Sequence, residues 1–94
     1  MQTVIITRHT SFTDHLRAIG LIDDQAQIIP HADADSLRGK RVITSGLPLH
    51  LAALATEVVT VPLHLPAELR GVELTQSQIA DHAGDPATFR VQQI

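Results

Sequence analysis

Arg8 and His9 follow the apolar run Val4-Ile5-Ile6 after a single Thr7 and precede Thr10-Ser11-Phe12-Thr13-Asp14. An apolar run that stops at polar residues reads as a strand leading through a turn into a helix. In open α/β sheets, ligands bind beyond the carboxyl ends of the strands, and helix N-termini there favour anions. Arginine can grip a phosphate through paired hydrogen bonds. Histidine exchanges a proton near neutrality and can serve as acid or base. Arg8 and His9 are therefore the candidate catalytic pair, with Thr10 and Ser11 beside them as candidate ligand-binding residues. The competing structural reading pairs Arg8 with a carboxylate such as Asp14 and leaves His9 to cap a turn.

A second candidate is Thr44-Ser45-Gly46-Leu47-Pro48-Leu49-His50. It reads as a strand end, a tight turn and a helix opening. Gly46 lets a ligand approach the backbone closely, and Pro48 near a helix start removes no needed donor. Free amides there would face an anion, with Ser45, Leu47 and His50 nearby. The segment lacks the Gly-x-x-x-x-Gly-Lys pattern of a Walker loop, and an ordinary strand-to-helix turn explains it equally well. Arg70, before Gly71, reaches either a phosphate or a partner subunit, or else pairs with Glu68 or Glu73. His64 is expected close to Glu68 and Arg70. His31, Asp33 and Asp35 alternate as metal ligands can, yet no second His stands at convincing spacing, so no metal is expected. His15 and His82 read as surface residues on helices.

Composition narrows the ligand classes. The 94 residues suit one domain, and a 44% hydrophobic fraction with no Trp, no Tyr and two Phe dictates an aliphatic core. Scarce aromatics argue against single-strand nucleic-acid platforms, and a net charge of −3 argues against duplex nucleic acid. A local cation cluster can still hold a small anion. With no cysteine, disulfides, thiolate metal sites and a thiol nucleophile are excluded, which fits a reducing cytoplasm. No apolar stretch of membrane-spanning length and no signal peptide are visible.

The elements that must position these residues alternate in the α/β manner. Residues 2–8 read as a buried strand. Ser11 and Asp14 resemble a capping box, opening a helix with Phe12, Leu16 and Ile19 on one face and Gly20 as its stop. Residues 26–30 form a second strand, and His31 to Lys40 a loop. Arg41-Val42-Ile43-Thr44 is the third strand. A helix follows, with Leu47, Leu51, Leu54 and Val58 along one face. Val58 to Leu63 makes a fourth strand, with Pro62 at an edge or at the strand's end. Pro66 to Gly71 turns, Thr75 and Gln78 form a capping box for a helix through about His82, and residues 87–92 close with a last strand. The expected fold is a mainly parallel sheet of about five strands flanked by about three helices. Strand order between residues 26 and 45 is open, because no crossover helix is evident there.

Three segments in order resemble the short stand-alone ring nucleases of type III CRISPR systems. They are Thr7-Arg8-His9, Gly46-Leu47-Pro48-Leu49-His50-Leu51-Ala52-Ala53, and Leu65-Pro66-Ala67-Glu68-Leu69-Arg70-Gly71-Val72-Glu73-Leu74-Thr75. That group is similar to the nucleotide-sensing (CARF-like) domains of CRISPR effectors. The resemblance implies a small Rossmann-like fold and a cytoplasmic homodimer binding cyclic oligoadenylate, chiefly the tetra-adenylate, across its two-fold axis. It also implies metal-independent cleavage, in which a ribose 2′-hydroxyl attacks the adjacent phosphate and leaves a 2′,3′-cyclic phosphate. No cofactor is implied. His50 departs from the family's pattern, where Asn is frequent; it adds either a proton-transfer group or a hydrogen bond. The alternative within the same resemblance is a module that sequesters the ring without cleaving it. Arg-His after a first strand also resembles the histidine phosphatases, which are much larger.

Overall fold

Three strands adjacent in one sheet each place neighbouring apolar residues on its opposite sides. Val4, Val42 and Val58 join one buried cluster, and Ile5, Ile43 and Val59 join the other. Successive side chains on a strand point to opposite faces, so a strand buried on both sides reads as an unbroken apolar run. The computed structural model describes residues 1–94. Its elements are β1 (Thr3–Ile6), α1 (Thr10–Ala18), β2 (Gln27–Ile29), α2 (Ala34–Leu37), β3 (Arg41–Thr44), α3 (Leu49–Ala52), β4 (Glu57–Thr60), a 3-10 turn (Ala67–Leu69), α4 (Gln76–His82) and β5 (Ala87–Phe89).

The sheet order is β2-β1-β3-β4-β5. The first four strands are parallel, and β5 runs antiparallel along β4, pairing Phe89 with Val58. Helices α1 and α4 contribute Phe12, Leu16 and Ile79 to one core, while α2 and α3 contribute Leu37 and Ala52 to the other. The result is a helix–sheet–helix sandwich, a small Rossmann-like fold. From β2 at one edge the chain crosses to β3 on the far side of β1, which settles the order left open between residues 26 and 45. Helix α1 leaves β1 toward one face, and α3 leaves β3 toward the other. The adjacent ends of β1 and β3 therefore flank the crevice where this topology places ligands.

Several expected boundaries shift. Helix α1 begins at Thr10 with His9 as its N-cap and no side-chain cap, so Ser11 and Asp14 form no capping box. The Thr7 hydroxyl has already closed the turn, accepting from the His9 amide at 3.0 Å. The stop at Gly20 holds: its φ is +75°. The Leu21 amide reaches the Leu16 carbonyl and the Gly20 amide that of Arg17, both at 3.0 Å, the paired bonds of a glycine-terminated helix. Ile19 is 45% exposed because it sits at the C-cap. His15, expected at the surface, is only 8% exposed; α1 packs on the sheet and beside α4, which widens its buried arc.

The loop from His31 to Lys40 contains α2, capped by Asp33, whose carboxylate accepts from the Ser36 amide at 2.9 Å and hydroxyl at 2.7 Å. The helix after Pro48 spans only Leu49–Ala52. Val58 belongs instead to β4, where it pairs with Val42, because its β-branched neighbours favour the pleated surface. Strand β4 is internal and ends at Thr60, so Pro62 lies past its end. The capping box of Thr75 and Gln78 forms as expected. There are four α-helices rather than three, and β5 ends at Phe89 rather than at residue 92.

Candidate functional site at the strand ends

Ile6 pairs with Ile29 of β2 on one side and with Thr44 of β3 on the other. Three strand exits thus converge, carrying Thr7-Arg8-His9, Pro30-His31 and Ser45-Gly46. Two of them use the same turn. The Thr7 hydroxyl accepts from the His9 amide at 3.0 Å and donates to the His9 carbonyl at 3.3 Å. The Thr44 hydroxyl accepts from the Gly46 amide at 3.2 Å and donates to the Gly46 carbonyl at 2.8 Å. Such side-chain-closed turns are a known use of threonine. They correct one expectation: the Gly46 amide is already engaged and does not face a ligand freely. The amides of Ser45 and Leu47 carry no protein hydrogen bond.

Arg8 is exposed, and its Nη2 lies 3.1 Å from His31 Nδ1. It makes no ion pair. Asp14, the expected alternative partner, instead faces Arg17 at 3.7 Å, and Arg17 also meets Asp24 at 3.6 Å. Exposed pairs of this kind contribute about 0–1 kcal/mol each, but they decide which cation is free. Arg17 faces two carboxylates, whereas Arg8 faces none.

Arg8 and His9 form the shared wall of two cavities. One, of about 190 Å³, is bounded by Thr7, Thr10, Thr13, Asp14, Arg17 and Ile28. Thr13 is 3% exposed, and its hydroxyl has no hydrogen-bond partner. The other, of about 390 Å³, is bounded by Leu65, Leu69, Gly71, Val72, Glu73 and Leu74. Its size falls within the roughly 300–1,000 Å³ of small-molecule sites.

The expected site residues do not all gather here. Thr10 lines the smaller cavity and Ser11 sits half-buried in the next helical position. Ser45 and Gly46 lie at the neighbouring exit. Leu47 lines a separate apolar groove with Leu49, Phe89 and Val91. Pro48 caps α3 through its carbonyl, which accepts from the Leu51 and Ala52 amides. His50 is exposed on α3 and makes no hydrogen bond through its side chain. Arg70 is exposed at the end of the 3-10 turn, paired with neither Glu68 nor Glu73, and its neighbours Leu69 and Gly71 line the larger cavity. His64 lies elsewhere: its Nε2 would be 3.2 Å from a Cβ placed on Gly84, and its amide bonds to the His82 carbonyl.

His31, Asp33 and Asp35 form no metal cluster; nowhere do three His, Asp or Glu residues converge as a metal would require. Asp33 is committed to Ser36, whose hydroxyl and amide hold its carboxyl below the usual aspartate value. That contribution to stability is present above the unfolded pKa and is lost as pH falls through the lowered folded value. No helix is long and apolar enough to cross a membrane. The contact that sequence reasoning missed is the one between Arg8 and His31. No local signal marks it: both residues lie two positions past the paired Ile6 and Ile29, and that pairing follows from the strand order.

No curated protein and no solved structure matches the chain significantly. A family model described as "Putative CRISPR-associated protein (Cas_VVA1548)" matches residues 4–92. With nearly its whole length covered, the chain belongs to this CRISPR-associated family.

Proposed function

We propose that this protein is a ring nuclease of type III CRISPR defence, one that binds cyclic oligoadenylate, chiefly cyclic tetra-adenylate, and opens it. One observation carries the reading. An arginine without a carboxylate partner stands beside a histidine at the end of β1, on the wall of two cavities, in a chain of a CRISPR-associated family. Arg8 holds the scissile phosphate, and the backbone of one ring segment crosses the wall formed by Arg8 and His9. An adjacent base enters the larger cavity, where Leu65, Leu69, Val72 and Leu74 offer apolar contact and Glu73 can accept from an exocyclic amine.

The chemistry asks little of the protein beyond position and charge. The ribose 2′-oxygen forms a bond to phosphorus while the bond from phosphorus to the 5′-oxygen breaks. The proton on the 2′-hydroxyl is given up and the 5′-oxygen gains one, leaving a 2′,3′-cyclic phosphate. Alignment of the three reacting atoms can supply up to about 7–11 kcal/mol. Arg8 stabilises charge on the equatorial oxygens, and His9 exchanges the proton. Thr10, Ser11 and Ser45 supply polar contacts at the same end of the sheet. A ring with two-fold symmetry suits two copies of the chain related by the same symmetry.

The test is incubation with cyclic tetra-adenylate in EDTA, followed by chromatography. Linear products ending in 2′,3′-cyclic phosphate are expected. An intact ring at high protein concentration and long time overturns cleavage, and tight binding under those conditions identifies a sequestering module instead.

A further inference from the structure

Arg8 faces an imidazole where an arginine more often finds a carboxylate. A guanidinium only donates hydrogen bonds, so the 3.1 Å contact between its Nη2 and His31 Nδ1 requires a lone pair on Nδ1. The contact is a hydrogen bond in the tautomer that carries the proton on Nε2. Both side chains are exposed, and neither has a carboxylate within 4.0 Å. The acids nearest in sequence are engaged elsewhere: Asp14 with Arg17, Asp33 with Ser36. The contact is also built into the sheet. Ile6 and Ile29 are in register, and each chain then advances two residues to reach Arg8 and His31.

We propose that His31 is a positioning residue for the phosphate site: it fixes the Arg8 guanidinium at the end of β1 without cancelling its charge. An aspartate in its place would orient Arg8 equally well but compete with the incoming phosphate. A lysine would repel it. A neutral imidazole orients and leaves the full positive charge available. The far-side guanidinium nitrogens stay free to grip two phosphate oxygens. Holding the side chain beforehand removes part of the rotamer entropy that binding would otherwise cost.

This inference rests on the reading of Arg8 as a phosphate ligand, and its test separates the two. In the protein without ligand, proton–nitrogen NMR should show the His31 proton on Nε2 and slowed rotation of the Arg8 guanidinium. His31→Ala should free the guanidinium. His31→Asn, whose amide oxygen reaches about as far as Nδ1, should hold it again. Arg8→Ala should release the tautomer preference of His31 if a His31 variant proves unstable. Titration with inorganic phosphate, followed at the Arg8 side chain, should give weaker binding for His31→Ala and His31→Lys than for wild type and His31→Asn. With cyclic tetra-adenylate, His31→Ala should lower kcat/KM roughly tenfold, as loss of one hydrogen bond to a charged group implies, and His31→Asn should recover most of it. Equal guanidinium motion and equal phosphate affinity in wild type and His31→Ala overturn the proposal. A wild type that leaves the ring intact overturns the nuclease reading alone, because the NMR and phosphate measurements still decide the role of His31.

Discussion

At the end of β1, Thr7 closes a turn on His9; at the end of β3, Thr44 closes the same turn on Gly46. The two strands are neighbours in parallel register, and both turns use a threonine hydroxyl as donor and acceptor toward the residue two positions on. The contents differ. The β1 turn holds up Arg8 and His9 and runs into the nine-residue α1. The β3 turn holds up Ser45 and Gly46 and runs through Pro48 into the single turn of α3. Both cavities are walled by Arg8 and His9, and neither is lined by Ser45 or Gly46. One local scaffold thus serves two purposes, and the side chains it displays decide which exit carries charge.

The largest expected difference follows from Arg8. Arg8→Ala should reduce ring cleavage by on the order of 100- to 1,000-fold, the usual cost of removing one preorganised group that stabilises transition-state charge. Arg8→Lys should restore only part, because an ammonium lacks the planar fork. Ser45→Ala, the matching change at the β3 exit, should alter turnover by no more than a few-fold. Stability should hardly move in either, since both side chains are exposed. Initial rates on cyclic tetra-adenylate with melting curves check this. Equal losses at the two exits would erase the distinction between them.

The turns themselves give an intermediate effect. Thr44 is 2% exposed, and Thr44→Val should cost about 1 kcal/mol through its lost hydrogen bonds to Gly46. Thr7→Val should cost about the same but should also cut turnover, because it unfastens His9. Thr7→Ser should recover both quantities. Denaturant titration set beside initial rates separates the cases: stability alone changes at β3, stability and rate together at β1. A Thr7→Val protein of undiminished turnover would mean that His9 needs no fixed turn.

Much of this arrangement is legible in the chain, for physical reasons. Val4-Ile5-Ile6, Val42-Ile43 and Val58-Val59 announce strands buried on both faces, and Gly20 and Thr75 mark helix ends by their own stereochemistry. The extent of α3 is not legible, because Leu51, Leu54 and Val58 satisfy a helical period while Val58 is claimed by pairing with Val42. Local pattern and sheet pairing compete there, and pairing wins. Helix α2 hides for a related reason: four residues are too few to show a period. Arg8 and His9 stand out as chemistry because two such residues end an apolar run. Their link to His31 depends on which strand lies beside β1, a long-range fact that composition and spacing do not carry.

Gly46 gives the smallest effect on the fold and the finest test of the β3 exit. A Cβ at this position would meet nothing within 4 Å, and the residue does not have a positive φ. Gly46→Ala should therefore fold unchanged and gain about 0.4–1 kcal/mol by narrowing the unfolded ensemble. With the fold intact, any loss of ring binding measures how closely the ligand approaches that backbone. A several-fold rise in KM at unchanged kcat would place part of the ring against the β3 turn during binding. Unaltered KM and kcat would place the β3 exit outside the contact surface and leave Arg8, His9 and His31 as the groups that grip. Binding isotherms with a 2′-deoxy ring, which cannot be cleaved by this route, separate contact from turnover.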